Sequence, residues 1–233
     1  HFTDESYPPA LFRKLTRGLI DSKMGIAWTT HMRFEKSLLE DQVWQDAKAS
    51  GCKYLHFGYE SGNERVLKLM DKATTTEIMT KHLKYTAEAG IWNHCMGFFG
   101  FPGETKEEAW SSVEFLEQNK DYVHSLGFGT FDLGRHNPVA KHPEKFGVTA
   151  YKNPEWDLAL DYYFTVKQGL SIEEAERVFE EFERNHNPGW DLRLFIREYI
   201  FLYIAQFGLQ KLPDLQFRSA RVATVPPSLA GKM

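Results

Sequence analysis

Cysteine is scarce in this sequence: Cys52 and Cys95 are the only two among 233 residues. Two thiols are too few for a disulfide framework or for a metal site built from cysteine alone. Both fall in segments that resemble strands, where a free cysteine behaves as a small apolar residue. We therefore predict structural roles for both and a cytoplasmic location, because free thiols suit a reducing compartment.

An excess of charge and a long apolar run are also missing. The 28 basic and 32 acidic residues give a formal net charge of −4, which provides no electrostatic reason to expect a nucleic-acid partner. No apolar run approaches the roughly 20 residues that a membrane-spanning helix needs. The most apolar stretch, "LFIREYIFLYIAQFGL", is interrupted by Arg197 and Glu198 and predicts a buried amphipathic helix. We expect neither nucleic acid nor membrane as a partner.

Several catalytic and phosphate-binding motifs are absent from the sequence. Neither a P-loop nor G-x-G-x-x-G occurs, and no G-x-S-x-G elbow supports a serine hydrolase. His94 and Cys95 are neighbours on a predicted strand, so they point to opposite faces and cannot share a metal. The pattern therefore provides no support for nucleotide hydrolysis through a P-loop or for a metal centre at this pair.

Apolar strand-like runs alternate with amphipathic helical segments over residues 1–135. Their order is α-β-α-β-α-β-α-β, and the strands are "GIAWTTHMR", "KYLHFGYE", "IWNHCMGFFGF" and "SLGFGTFDL". Thr105 and Glu108 form a capping box that predicts where the last of these helices begins. The opening "HFTDE" has the character of the end of an earlier strand. Strict alternation predicts right-handed βαβ units and a parallel sheet, either doubly wound or part of a (β/α) barrel.

The composition changes after about residue 135. Residues 136–154 are rich in Pro, Gly, His and Lys and predict a long loop. Residues 155–233 predict a helical carboxyl-terminal extension, with helices near 155–168, 171–185 and 189–208 followed by a polar tail. We predict an appended helical unit and no second sheet. Because the segment 131–151 follows the last strand, we expect it to line the substrate side of a site.

Polar groups follow four predicted strands at their carboxyl ends, where parallel sheets and barrels bind ligands. Each group alone is compatible with a helix cap or a surface ion pair, but the four ends converge on one rim. Gly97, Gly100 and Gly103 indicate that backbone comes close to a flat or bulky group there. A carboxylate pair of Glu60 and Glu104 for glycoside hydrolysis is an alternative. The polar groups are Asp4, Glu5 and Ser6, then His31 and Arg33, then Glu60 and Ser61, and finally Glu104 and Thr105.

The motifs "GYESGNERVL", "AEAGI" and "GFPGETKEE", in this order and spacing, closely resemble those of radical S-adenosylmethionine (radical SAM) enzymes. The resemblance covers roughly residues 1–135 and is strongest to the branch that often carries an amino-terminal cobalamin-binding domain. It implies a partial TIM-type (β/α) barrel that holds S-adenosylmethionine and a [4Fe-4S] cluster. The reduced cluster of such enzymes cleaves S-adenosylmethionine to methionine and a 5'-deoxyadenosyl radical. The resemblance also implies a small-molecule or peptide substrate and a reductant such as flavodoxin or ferredoxin.

The resemblance assigns cofactor contacts to particular positions. Glu60 and Ser61 would meet the ribose hydroxyls or the methionine ammonium, and Lys72 the methionine carboxylate. Asp4 and Glu5 would meet the amino group, while His31 and Arg33 stand where relatives often show an acid and an arginine. The stretch "GFFGFPGET", with Phe99, Gly100 and Glu104, resembles the motif that backs the adenine, although Phe101 replaces its middle glycine.

The largest departure from the family concerns the cluster. The three cysteines of a C-x-x-x-C-x-x-C loop are absent, and neither Cys52 nor Cys95 can replace them. We expect this chain to be the carboxyl-terminal part of a radical SAM enzyme, inactive as given and possessing cobalamin-dependent methyltransferase activity only in the longer protein. A non-catalytic binding module that has lost the cluster half is the alternative from another class.

Overall fold

The computed structural model describes residues 1–3, 6–151, 160–185 and 197–208. Its centre is a four-stranded parallel sheet in the order β1-β2-β3-β4. The strands are β1 (Trp28–Met32), β2 (Cys52–Glu60), β3 (Trp92–Phe99) and β4 (Ser125–Thr130). This sheet confirms the predicted α/β class, because strand order follows chain order and helices fill every crossover.

Five helices accompany the parallel strands. Asn63 and Thr75 cap α3 and α4 through side-chain oxygens, and Thr105 forms the predicted capping box with Glu108 at the start of α5. These caps satisfy backbone N–H groups that have no partner inside the helix. The helices are α1 (Pro9–Ser22), α2 (Asp41–Ala49), α3 (Glu64–Leu69), α4 (Thr76–Glu88) and α5 (Lys106–Gln118).

The two faces of the sheet differ in chemistry. On the helix-covered face, Leu55 and Phe57 of β2 belong to the main hydrophobic core, with Trp44 of α2 and Leu83 of α4. Side chains alternate along a strand, so the other face carries a row of aromatic and imidazole rings. Phe2, the second residue of the sequence, forms a parallel bridge with Thr30, which places the first residues beside β1.

A second, antiparallel sheet contradicts part of the prediction. It contains β5 (Leu133–Gly134), β6 (Val148–Tyr151) and β7 (Asp161–Val166) in the order β5-β7-β6. The helix predicted near 155–168 is wrong over 161–166, because "DYYFTV" is rich in aromatic and β-branched residues that favour a strand. The predicted long loop is also wrong in part. It contains α6 (Pro138–Lys141), a 3₁₀ turn at Pro143–Phe146 and β6.

Two helices follow the second sheet, α7 (Ile172–Asn185) and α8 (Arg197–Phe207). In α7, Val178 and Phe182 are buried against Phe99 of β3 and Val113 of α5. In α8, Ile204 is buried whereas Leu202 is 58% exposed, so the burial expected for this helix holds on one side only. No helix in the described part of the chain is long and apolar enough to cross a bilayer.

Candidate cofactor-binding site

Glu60 is the last residue of β2 and has an unusual backbone conformation. Its φ is 62°, a left-handed value that is rare for a residue with a side chain. The pairing of β2 with β3 is irregular between Gly58 and Glu60. A bulge of this kind redirects a side chain at the end of a strand. Strained backbone positions of this sort concentrate at functional sites, so Glu60 is a candidate on geometry as well as on sequence.

The Glu60 carboxylate is paired with Lys72. Lys72 Nζ lies 2.8 Å from Glu60 Oε1, and the two side chains are 32% and 22% exposed. The helix α3 lies between these residues in the chain and brings Lys72 back towards the end of β2. The backbone N–H of Lys72 donates to Leu67 O. The structure thus brings together two residues that the sequence assigned separately to the same site.

The turn after Glu60 is fixed to α5 by Ser112. Ser61 Oγ lies 2.9 Å from Ser112 Oγ, the Gly62 N–H donates to that same oxygen, and Tyr59 Oη donates to Ser112 O at 2.7 Å. Ser61 is fully buried, so its hydroxyl anchors the turn that presents Glu60. Sequence reasoning missed Ser112, because no local motif marks a serine on a distant helix.

Charged and aromatic side chains share a cavity of about 500 Å³ at the carboxyl ends of the strands. Arg33, Glu60, Asp71 and Lys72 supply the charges. Asp71 also has a left-handed backbone, with φ of 55°. Arg33 is exposed and forms no ion pair with a described residue. The cavity therefore offers an incoming ligand one ion pair and, within the described residues, an unpaired guanidinium.

Glu104 is buried and does not line this cavity. Its Oε2 accepts the Gly100 N–H at 2.6 Å, whereas Oε1 has no hydrogen-bond partner among the described residues. Burial, opposed by the bond from Gly100, raises the pKa of this carboxyl to about 7. Glu104 thus holds the left-handed turn at Gly100, whose φ is 85°, and the predicted carboxylate pair with Glu60 is not formed in the cavity.

Among the described residues, His31, Ser61, Phe99 and Gly100 do not line the cavity. The His31 ring stacks on His56 of β2 at 4.7 Å. Phe99 is buried on the helix side, with its ring 5.2 Å from that of Phe128. Asp4 and Glu5 fall outside the described residues. Direct contact of these residues, and of Ser61, Gly100 and Glu104, with a cofactor stays a prediction.

The expected substrate-side role of 131–151 has partial geometric support. Phe131, Asn137, Pro138 and Phe146 line the cavity, but Arg135 and His136 do not. The Arg135 guanidinium lies over the Tyr162 ring of β7 at 5.9 Å. Phe131 and Phe146 are separated in the sequence by β5 and α6. Their spacing alone therefore does not predict that they line the same cavity.

Residues 6–116 match the model of the radical SAM superfamily. The match spans just under half of the chain, which is therefore similar to this superfamily over those residues. The resemblance drawn from the motifs is confirmed over this range, which contains β1 to β3 and Glu60, Lys72 and Glu104. The chain is 30% identical over 97 residues to an uncharacterized methyltransferase of Pyrococcus horikoshii, covering 41% of this chain and 20% of that protein.

A second relative extends further along the chain. Identity to cytidylyl-2-hydroxyethylphosphonate methyltransferase of Streptomyces wedmorensis is 27% over 181 residues, covering 72% of this chain and 33% of the relative. The chain spans between a fifth and a third of the length of these relatives. The matched region is therefore a part of each of them.

Solved radical SAM enzymes share the fold. Coproporphyrinogen III oxidase of Escherichia coli superposes with a TM-score of 0.54 and 13% identity, over 78% of this chain and 40% of that one. The methyltransferase TsrM of Kitasatospora setae, solved with cobalamin and a [4Fe-4S] cluster, gives 0.50 and 18%, over 73% and 34%. At these identities the likeness shows that the chain shares the fold of these structures.

The two cysteines do not fit a cluster. Cys52 and Cys95 are fully buried free thiols. Burial raises the pKa of the Cys52 thiol to about 12 and raises that of Cys95 as well. Iron–sulfur clusters are held by thiolates, and neither residue lies at a carboxyl end of a strand. No cluster chemistry is therefore assigned to these residues.

Replacing Glu60 by glycine should separate backbone strain from function. Glycine adopts a positive φ without steric cost, whereas alanine retains the strain. The free energy of unfolding of Glu60→Gly should therefore be about 1 kcal/mol higher than that of Glu60→Ala. The partly exposed ion pair is lost in both variants and cancels in this comparison. Urea unfolding of the two variants measures the difference.

Glu35 provides the matched control for Glu60. It has an extended backbone with φ of −94°, so alanine should be at least as stable as glycine there. If the glycine variant were more stable than the alanine variant by the same free energy at both positions, the backbone at Glu60 would not be strained.

Proposed function

We propose that this chain forms the S-adenosylmethionine-binding part of a radical SAM enzyme of the methyltransferase type. The Glu60–Lys72 ion pair carries the proposal, since it lies in a cavity at the carboxyl ends of parallel strands, with Arg33 beside it. Ligands bind at this edge in parallel sheets and barrels. The match of residues 6–116 to the superfamily and the methyltransferase relatives support the assignment.

The charges of the cavity suit the two charged ends of an amino acid and the hydroxyls of a ribose. The Glu60 carboxylate can accept hydrogen bonds from an ammonium group or a ribose diol, and Lys72 and Arg33 can donate to a carboxylate. Because Glu60 and Lys72 already neutralise each other, the zwitterionic amino-acid end of S-adenosylmethionine can exchange with this pair while leaving the charge balance of the pair unchanged. When bound, S-adenosylmethionine supplies the methyl group or the 5'-deoxyadenosyl radical of the reaction.

The remaining components belong to the longer enzyme that we propose. The [4Fe-4S] cluster would take its thiolates from outside this chain, because Cys52 and Cys95 do not fit. Cobalamin would be held by an additional domain, as the likeness to TsrM suggests. We also propose a small-molecule or peptide substrate, a flavodoxin or ferredoxin as reductant, and the cytoplasm as the location. The chain alone would then be inactive in cofactor cleavage.

A non-catalytic binding module is the second candidate, and the buried, protonated cysteines are compatible with it. Such a module would have the same cavity as the enzyme, but cluster reconstitution of a longer protein would not give it activity. A hydrolase that uses Glu60 and Glu104 has less support, because Glu104 is buried away from the cavity.

Replacing Glu60 by glutamine tests the cofactor proposal. We expect Glu60→Gln to lower the affinity for S-adenosylmethionine, because one or two charge-assisted hydrogen bonds are lost, each about 1.5–3 kcal/mol, or roughly 10-fold or more in Kd. Isothermal titration calorimetry on the chain gives the affinity. Asp71→Asn is the control, since Asp71 lines the same cavity and asparagine tolerates a left-handed backbone. Unchanged affinity in Glu60→Gln, or an equal loss in both variants, would remove Glu60 from the site.

A further inference from the structure

Arg65, near the start of α3, contacts two other parts of the structure at once. Its guanidinium donates to both carboxylate oxygens of Glu108 on α5, through Nε and Nη2, and Nη2 also donates to Gly103 O at 2.6 Å. Gly103 lies between β3 and α5, in the turn that leads into that helix. A guanidinium is rigid and planar, so a paired contact of this kind fixes orientation as well as distance. Arg65 therefore joins α3 both to α5 and to the turn before it.

The ion pair of Arg65 and Glu108 is fixed at both ends by helix caps. Glu108 Oε2 accepts the Thr105 N–H at 2.9 Å within the capping box of α5, and Asn63 Oδ1 accepts the Arg65 N–H at 3.0 Å as the cap of α3. The side-chain bond from Arg65 lowers the pKa of the Glu108 carboxyl. Glu108 thus stays ionised at neutral pH and keeps both oxygens as acceptors.

The contact around this ion pair continues along one face of α5. Asn63 Nδ2 donates to Ser111 Oγ at 3.1 Å, and Ser112, the next residue, fixes the turn after Glu60. Residues three and four apart share one side of a helix, so Glu108, Ser111 and Ser112 face α3 together. The end of β2 and the start of α3 are therefore held against a single helix.

The turn at residues 100–104 reaches the cavity through Phe101. One side of this turn receives the hydrogen bond from Arg65. On its other side the Leu170 N–H, in the segment after β7, donates to Glu104 O at 2.8 Å. The turn is thus held between α3 and that segment, so the place of Phe101 depends on the contact with Arg65.

These contacts connect two sides of the cavity that differ in chemistry. On the charged side, Glu60 and Lys72 form their ion pair and flank α3 in the chain. On the aromatic side, the rings of Phe101 and Phe131 lie 5.4 Å apart, and a flat purine can pack against such rings. A ligand with an amino-acid end and a purine end has to meet both sides at once. The spacing of the two sides therefore affects its binding, although Arg65 itself does not line the cavity.

We infer that Arg65 is a positioning residue for S-adenosylmethionine: through Glu108 and Gly103 it sets the spacing between the charged side and the aromatic side of the cavity. This inference rests on the proposed function, which assigns the cavity to that cofactor. When one end of a ligand is bound, the other end is present at a high effective concentration, and this advantage is lost if the geometry forbids both contacts. Changing Arg65 should therefore weaken a ligand that has both ends far more than a ligand that has only one.

The test is Arg65→Lys, which keeps the positive charge but cannot form the planar paired contact. Three probes are titrated into the full chain by calorimetry and, for weak binding, by ligand-observed NMR. They are S-adenosylhomocysteine, which has both ends, methionine for the charged side and 5'-methylthioadenosine for the aromatic side. We expect the affinity for S-adenosylhomocysteine to fall roughly tenfold and the affinities for the other two probes to change by less than about twofold.

Glu108→Gln is the second variant, should Arg65→Lys not fold by circular dichroism. Its amide oxygen can still accept the N–H of the capping box, but the ion pair is lost, and it should show the same selective loss. The matched control is Arg13→Lys. Arg13 also joins a glutamate and a backbone carbonyl, Glu40 Oε1 at 3.0 Å and Ser37 O at 2.6 Å, and none of these three residues lines the cavity. The control should alter none of the three affinities.

The inference is overturned if Arg65→Lys or Glu108→Gln weakens all three probes equally, since the change would then be a general loss of structure. It is also overturned if only one of the single-ended probes is weakened with S-adenosylhomocysteine, or if S-adenosylhomocysteine binds both variants as it binds the parent. Failure of the proposed function is recognised in the parent itself, which would then not bind S-adenosylhomocysteine.

Discussion

Glu104→Gln is expected to remove a large pH dependence from the stability of this protein. The carboxyl has a folded pKa of about 7 because it is buried, against about 4.3 in an unfolded chain. A shift of this size corresponds to about 3–4 kcal/mol. Glutamine imitates the protonated acid, since its oxygen can still accept the Gly100 N–H, and it does not titrate.

The sign follows from proton linkage. Between about pH 4.3 and 7 the folded state binds more protons at Glu104 than the unfolded state does, so the free energy of unfolding falls as the pH rises. The contribution is complete below about pH 4.3 and is lost as the pH passes through about 7. At pH 8 the glutamine variant should therefore be the more stable protein, whereas at pH 4 the two should be similar.

Urea unfolding at several pH values measures this difference between Glu104→Gln and the parent. His82 and His124 also contribute to the pH dependence, because burial lowers their pKa values to about 4, but their effect cancels in the difference. Glu107→Gln is the control, since Glu107 is exposed in the first turn of α5, three residues after Glu104. A difference curve for Glu104→Gln that stays flat from pH 4 to 8 would contradict the raised pKa.

Gly62→Ala is expected to destabilise the protein by roughly 3 kcal/mol, through steric overlap in the turn after Glu60. A Cβ at this position would overlap Tyr59 Oη and would lie 2.7 Å from Phe115 Cβ and 3.0 Å from Ser112 Cα. The backbone of α5 cannot yield easily, and Tyr59 is held by its hydrogen bond to Ser112. The turn would have to leave α5 and lose the bonds made there by Ser61, Gly62 and Tyr59.

Gly18→Ala provides the comparison. Gly18 lies inside α1, and a Cβ added there would have no described atom of another residue within 4 Å, apart from its chain neighbours and the backbone of its own helix. Alanine should stabilise that helix by about 0.5–1 kcal/mol. Chemical unfolding followed by tryptophan fluorescence would give both values. If both glycines tolerated alanine equally, the close packing of the turn on α5 would be wrong.

The parallel sheet could be predicted from sequence because each of its elements carries a local signal. Apolar runs alternate with amphipathic segments, and Thr105 with Glu108 marks the start of α5. The second sheet could not be predicted as easily. Its strands are short, β5 has two residues, and β7 pairs with segments on both sides of α6. The aromatic and β-branched run "YYFTV" was the available signal, and the helix prediction overlooked it.

The cavity residues that lie near strand ends could be predicted from the sequence. The roles that depend on contacts between residues far apart in the sequence could not. Glu60, Lys72 and Arg33 meet in one cavity as the motifs suggested. Glu104 and Ser61 have motif positions equally suggestive of ligand contact, but both are buried and hold backbone turns. A sequence motif records that a residue is needed, and cannot distinguish a ligand from a support for the ligand.

The separation of the two sheets has a consequence for how chains with this fold diversify. Within the described residues, β5, β6 and β7 pair only among themselves, and β1 to β4 form their own ladder. Insertions or exchanges in the smaller sheet can therefore reshape the side of the cavity that Phe131 and Phe146 line, without shifting the register of the strand that carries Glu60. Such a division makes the smaller sheet a natural unit of exchange between relatives, so that one side of the cavity can change while the Glu60–Lys72 pair is inherited intact.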